Sequence, residues 1–425
     1  MRLLLAALWG VVAAAQGPPK LPADYACRVT ALKQAHKLNP ADLEALDALS
    51  SSYTMAGDYE EAIRVIEEGL AILPAGTAPR AHLELKLARN LSWAGRQGAA
   101  IHAYEAYLKT LPQDRQAAIE LIRLRRYRGD YSRAEELCNF LLRTRPEDAE
   151  VLALKAEVLH WAGNRRRSAR RAADRAVNLA SDLPDAQVAQ VYAFQDVGEN
   201  RKARQAFAVL EGQVARRGRL KAETTYGDAY RLLEEELAHP ERPSSEPAYS
   251  AYNDSDGIHN TFLDLRMEAP FRDDHKFFLD VSQYRSSAPL SGLFTAGRDA
   301  SHVSEFAAGG TFLVAPAVHL TAAGGASRRG GVVEVRPTFD VLLTATPIDR
   351  WTFDFSSGRE FLKVTPRAMD LNISSYKLAG GVQYTFHSRN SLTARADRRY
   401  WSDNNRSITG EAVFRRILHY HRSFM

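Results

Sequence analysis

The chain has 425 residues, enough for two domains, and its 45% hydrophobic and 25% charged content is that of folded protein. A formal net charge of +5 is mild for this length, and two cysteines exclude a disulfide-rich scaffold. No stretch after the N-terminal segment reaches the roughly 18 apolar residues of a membrane-spanning helix, so any insertion into a bilayer must use strands.

Residues 1–15 come first in chain order. Arg2, the apolar run Leu3–Val12 and Ala13-Ala14-Ala15 before Gln16 match a secretory signal peptide with a small-residue cleavage site. The mature chain is expected from Gln16, and export argues against a nucleic acid partner. No cysteine directly follows the apolar run, which argues against a lipid anchor.

Residues 16–238 carry a period. Gly57, Gly95, Gly129, Gly163 and Gly198 are spaced 38, 34, 34 and 35 residues apart, and Pro40, Pro74, Pro112 and Pro146 are spaced 34, 38 and 34. Tyr53 to Ala62 followed by Pro74 states the pattern most fully. Gly129, Asp130, Tyr131, Ala134 and Pro146 repeat it, and Gly95 with Ala100, Tyr104 and Pro112 does so more loosely. Gly163 and Gly198 head degraded copies with Ser168 and Ala203 in the small-residue position. Each glycine is expected to end the first helix of a pair and each proline to follow the second, while the small residue lets the two helices approach. A helix pair cannot bury its apolar face alone, so the copies must stack. Residues 24–40 align with the second helix of one more repeat, and Lys221–Leu237 reads as a terminal capping helix. Cys27 and Cys138 lie in different repeats, so two buried thiols are expected rather than a disulfide.

Residues 239–247, rich in Pro, Ser and Glu, read as a linker. From 248 to 425 the chain alternates apolar and polar residues in about ten strands, near 248–252, 258–269, 276–286, 304–315, 318–327, 332–345, 351–359, 372–386, 391–401 and 407–417. In the clearest, Val333, Val335, Phe339, Val341 and Leu343 oppose Glu334, Arg336, Thr338, Asp340 and Thr344. A soluble antiparallel sandwich also alternates, but this second face is heavily charged. Connections after even strands are short (Pro270–Asp274, Pro316–Ala317, Thr346–Arg350, His387–Asn390). Those after odd strands include the long Ser287–Val303 and Glu360–Leu371. Short turns at one end and long loops at the other are the grammar of an outer-membrane β-barrel, with both termini on the periplasmic side. Phe271, Trp351, Tyr384, Phe386, Tyr400 and Trp401 fit interfacial girdles. The glycine pairs at 309–310, 324–325 and 380–381 fit positions of strong curvature or bulges. Asp264, Arg266, Glu268, Glu334, Arg336, Asp340, Asp354, Arg395, Asp397 and Arg399 are then expected in the barrel lumen. The last residues, Leu418–Met425, carry Phe424 but no clean terminal strand, so a shortened barrel is one expectation.

No phosphate loop, nucleophile elbow or zinc-type spacing is present. Asp254-Ser255-Asp256-Gly257 shares the opening spacing of a calcium loop but lacks its twelfth ligand, and a plain turn is expected. His419 and His421 read as scattered surface histidines. The expectation is no enzyme, no cofactor and no metal.

The 34-residue period with its Gly, Ala and Pro positions resembles the tetratricopeptide repeat (TPR). That resemblance implies a partner-binding groove lined by first helices, here by Arg89, Arg123, Arg126, His160, Tyr192 and Gln195, without a clear two-carboxylate clamp. Arg165, Arg166, Arg167, Arg170, Arg171 and Arg175 form a second basic cluster, either a solvated face or a surface for an anionic polymer or acidic protein. The whole arrangement, α + β with an N-terminal TPR α-solenoid and a C-terminal antiparallel transmembrane β-barrel, resembles bacterial outer-membrane TPR-barrel proteins, among them exopolysaccharide export porins and the YaiO family. The resemblance implies a cell outer membrane location with the N-terminal domain in the periplasm. It implies outer membrane lipid and periplasmic proteins as partners, and an exported polysaccharide as a third. A ten-stranded barrel leaves little room for a sugar chain, so a membrane-anchored interaction scaffold with a closed barrel is the alternative.

Overall fold

The computed structural model describes residues 25–39, 42–74, 76–217, 227–238, 243–272, 274–289, 299–330, 334–363, 365–387 and 390–416. The expected signal segment, Pro40, the start of the expected capping helix at Lys221, Val333, His419, His421 and Phe424 lie outside the described residues. The chain falls into two compact units, one running to Pro146 and the other beginning at Glu147.

The first unit is helical. It contains α1 (Tyr25–Leu38), α2 (Leu43–Ala56), α3 (Tyr59–Ile72), α4 (Ala78–Trp93), α5 (Gln97–Thr110), α6 (Arg115–Tyr127) and α7 (Tyr131–Thr144). The repeat glycines act as expected: Gly57, Gly95 and Gly129 all adopt positive φ between 76° and 80° where a first helix ends, a backbone region other residues enter at a cost. Pro74, Pro112 and Pro146 each stand two residues beyond a second helix. Asp42 and Asp114 then open the next helix by accepting backbone N–H groups, Asp42 from Glu44 and Ala45 and Asp114 from Ala117. Ala62, Ala100 and Ala134 are fully buried where the paired helices meet. The core between α1 and α4 is built from Val29, Leu46, Leu49, Tyr53, Val65, Ile66 and Leu83. Cys138 is buried, but Cys27 is exposed, contrary to the expectation of two buried thiols; α1 buries only Val29, so Cys27 falls on its outer side.

The second unit begins with α8 (Ala149–Ala162), α9 (Arg166–Leu179), α10 (Pro184–Asp196), α11 (Asn200–Arg217) and α12 (Gly227–Ala238). Gly163 and Gly198 again carry positive φ. In the α8/α9 pair the small-residue position is corrected. Ala169, not Ser168, is fully buried at the helix contact. The Gly163–Arg165 turn is one residue longer than Gly57–Asp58, so α9 starts a step later and rotates Ser168 off the contact. Val188, Val191, Phe194, Phe207, Leu210, Tyr230 and Leu233 form the core that ties α10 and α11 to the capping helix α12.

Among the described residues the rest of this unit is one antiparallel sheet of ten sequential strands: β1 (Ser244–Asn253), β2 (His259–Pro270), β3 (His275–Ser287), β4 (Ala300–Ala315), β5 (Val318–Arg329), β6 (Val335–Ile348), β7 (Trp351–Phe361), β8 (Ser374–His387), β9 (Asn390–Trp401) and β10 (Arg406–Arg416). A short helix, α13 (Pro366–Asp370), lies in the β7–β8 connection. The expected linker loses Ser244–Pro247 to β1, where these residues pair with Glu268 to Leu265. Pro247, which has no N–H to donate, is tolerated because β1 is an edge strand among the described residues.

The sheet is inverted relative to a soluble sandwich. Val335, Phe339 and Phe355 are 55%, 39% and 51% exposed, while Ser327, Ser356 and Ser375 on the opposite face are 6%, 8% and 0% exposed. Register carries this parity from strand to strand: Glu305 pairs with Ser282 and Ser327, Asp340 with Ala323 and Gly358, and Asp354 with Gly381. The strand middles thus turn most of their large apolar side chains to the outer face and their carboxylates to the inner one, while Arg285, Arg328, Arg359 and Arg398 stand on the outer face and Phe262 and Phe278 on the inner.

Candidate functional site

The expected groove positions divide between the units. In the first, Arg89 is committed to an internal pair. Its Nε and Nη2 donate to the two carboxylate oxygens of Glu120 at 3.0 and 3.1 Å, and Tyr104 Oη donates to the same carboxylate at 2.9 Å. This half-buried triad links α4, α5 and α6, so Arg89 is structural and not a free groove cation. Arg123 and Arg126 also lie on α6. In the second unit, His160 stacks on Tyr192 with centroids 4.4 Å apart and bonds Asp196 through Nδ1 at 3.0 Å. Trp161 packs edge-on against both rings and remains partly exposed. Gln195 donates weakly to Glu236 on α12 at 3.4 Å. Trp161 and Asp196 escaped notice in the sequence because they directly follow or precede motif positions without being motif residues.

The basic cluster is also reduced by geometry. Arg170 lies 3.7 Å over the Phe194 ring and pairs with Asp174 at 2.7 Å and Glu199 at 2.5 Å, so it joins α9 to α10 and does not serve as open surface. Burial works against ionisation of Glu199, but hydrogen bonds from Lys202 and Arg170 outweigh it and hold the carboxyl below the usual glutamate range.

The turns of the repeats meet the short turns of the sheet within this unit. Asp349, in the β6–β7 turn, accepts from Arg167 N at 2.9 Å, Ser168 N at 3.1 Å and Ser168 Oγ at 2.5 Å. It supplies from a distant strand turn the cap that α9 lacks locally, since Arg165 makes no side-chain cap. Arg350 N donates to Asn164 O at 2.9 Å, Ala317 N to Val197 O at 2.9 Å, and Arg201 N to Asp274 Oδ1 at 3.2 Å. The turns are themselves linked, Thr346 N to Ala317 O and Thr385 N to Arg350 O, both at 2.9 Å. Gly198 lies under His319 and Leu313, where an added Cβ would come within 2.8 Å of the imidazole. Three hairpin turns therefore grip two consecutive repeat turns, and Ser168, displaced from the helix contact, is used here.

Eight of the ten expected lumen residues form ion pairs on the inner face of the sheet, while Asp264 stands opposite Ser282 and Asp340 opposite Gly358. Arg266 bonds Glu268 at 2.8 Å and Asp280 at 3.4 Å and lies over the Phe278 ring. Arg395 on β9 reaches Asp354 on β7 at 2.8 Å across the intervening β8. Gly381 makes room, because a Cβ there would collide with the Asp354 carboxylate. Arg399 bonds Glu360 at 2.7 Å and Asp397 at 3.2 Å, and Arg336 bonds Glu334 at 3.1 Å. Asp340 lies beside Gly358. The pairs of Lys363 with Glu305 and Arg329 with Asp370 complete the network and were not anticipated, since Lys363 and Asp370 sit in a loop. Asp254 Oδ1 accepts from Asp256 N and Ile258 N, which makes the calcium-like stretch a hydrogen-bonded turn. Among the described residues no group of three or more His, Cys, Asp or Glu is placed to hold a metal, and no helix is long and apolar enough to cross a membrane.

No protein-family model matches the chain, and no curated protein does. Solved structures similar to part of the chain include MamA from Desulfovibrio magneticus RS-1, at 15% identity over 41% of this chain and 96% of that one with a TM-score of 0.37. A tetratricopeptide repeat protein from Parabacteroides merdae is 17% identical over 46% of this chain and 73% of its own, at 0.39. The C-terminal part of a TPR protein from Cytophaga hutchinsonii is 15% identical over 51% and 82%, at 0.41.

Proposed function

We propose that this chain is an outer-membrane protein whose helical repeats form a periplasmic interaction scaffold fixed to a membrane-inserted β-barrel, and that it takes part in exporting or assembling an exopolysaccharide. The observation that carries the membrane assignment is the inverted sheet, with Val335, Phe339 and Phe355 outward and paired charges inward. Water would penalise that outer face, whereas hydrocarbon favours it. Phe271, Phe277, Trp351, Tyr384 and Phe386 cluster near the short-turn end, as interfacial aromatics do. The short turns that hold the repeats then face the periplasm. Fractionation tests the assignment: the protein should pellet with outer membranes and migrate faster on gels before boiling than after, and a soluble, heat-indifferent protein would refute it.

A second reading, a non-conducting anchor, is favoured by the cross-strand pair Arg395–Asp354 and its neighbours, which bridge strands across the inner face. Single-channel recording separates the two, since an anchor passes no current.

A further inference from the structure

The β7–β8 connection does not lie over its own strands. Lys363 reaches Glu305 on the inner face of β4 and stands 3.9 Å over the Tyr284 ring of β3. Asp370, at the end of α13, accepts from Ser301 Oγ at 3.0 Å and pairs with Arg329 of β5 at 3.6 Å, and Arg329 Nη1 also donates to the Asp370 carbonyl. Thr365 caps α13 by accepting from Ala368 N, and Pro366, Ala368 and Met369 are buried. Strands are spaced roughly 4.8 Å apart, so β7 and β4 are separated by about 14 Å along the sheet. A loop that leaves β7 and bonds β3, β4 and β5 must therefore cross the inner concavity at its long-loop end.

Two ion pairs hold this crossing, and both are reversible contacts between a loop and rigid strands. Glu305, Tyr284 and Arg329 belong to strands fixed by ladders on both sides, whereas α13 has five residues and no ladder of its own. Toward the same end of the sheet, Ser286 and Ser375 are fully buried with no hydrogen-bond partner for Oγ, so the packing under the crossing leaves two hydroxyls unsatisfied. Loops with few tethers open at a fraction of the global free energy.

We propose that α13 and Lys363 form a latch closing the outer end of the barrel interior, held by Lys363–Glu305 and Arg329–Asp370, and that its release opens the interior to the outside. This rests on the barrel assignment above. The substitution Ser327→Cys, at a buried inner-face position opposite Glu305, reports access to the interior. Full-length protein in detergent would be treated with a charged maleimide and the modified peptide quantified, with exposed Cys27 as internal standard, and amide exchange in the β4–β5 ladder would report folding of the sheet in the same samples. With the latch intact the thiol introduced by Ser327→Cys should react slowly. K363M and D370N, each added separately to that variant, should raise its rate about tenfold or more while the β4–β5 ladder amides stay protected, as for a local opening. Equal rates in all three proteins with that ladder protected overturn the latch. If one variant unfolds the sheet, exposing the ladder amides, the other tests the second tether. Failure of the heat-modifiable shift refutes the membrane reading separately, because labelling of the folded sheet does not depend on it.

Discussion

Glu199 illustrates how much of this protein rests on single charged side chains placed between helices. It joins α9 to α11 through Arg170 at 2.5 Å and Lys202 at 2.5 Å, with little solvent around it. Because its folded pKa is depressed, the stabilisation it gives is complete above the ordinary glutamate value of 4.5 and is lost as pH falls below it. Glu199→Gln is therefore expected to lower stability at neutral pH by about 2 kcal/mol, the scale of a hydrogen bond to a charged group, and to flatten the loss of melting temperature between neutral and acid pH. A parallel loss in both proteins would contradict this. At Gly381 the expected effect is steric. Gly381→Ala places a methyl group against Asp354 and should break the Arg395 pair, weakening the sheet, whereas Gly410→Ala, with open space around it, should be silent in the same thermal melt.

At the scale of elements, the displaced turn before α9 makes opposite predictions for adjacent residues. Ala169→Leu overfills the α8/α9 contact and should cost about 1–3 kcal/mol, measurable by denaturation. Ser168→Ala leaves that contact intact and removes only the hydroxyl bond to Asp349. Asp349→Ala removes the whole borrowed cap of α9 and should cost about 1 kcal/mol, with faster amide exchange confined to the first turn of α9. If exchange there is unchanged, Asp349 is not the cap. The helix pairs and the ten strands were legible because each has its own period, near 34 residues for the pairs and two for the strands. Bounds differed where pairing extends past the alternation, as in β1, whose first residues look like linker and gain their structure from β2.

For the whole molecule, the second compact unit takes in the last repeats together with the sheet. Residues 147–425, expressed behind a signal segment, should accordingly fold and keep the heat-modifiable shift, while loss of the shift would show that the first unit is needed for folding. The anchoring of two repeat turns by three hairpin turns means that a load applied near His160 and Trp161 reaches an element bonded directly to the sheet.

The sequence alone determined the order of elements, the repeat turns and the parity of the strands, because these follow from local periodicity and from backbone conformations that glycine and proline favour. It also sorted charged from apolar residues by strand face. Only the tertiary structure decided which charges meet. Arg89 finds Glu120, Arg170 stacks on Phe194, Asp349 caps a helix 181 residues away and Lys363 crosses to Glu305. Such partners are distant in sequence and carry no period, so their meeting depends on how turns and strands are brought together in space.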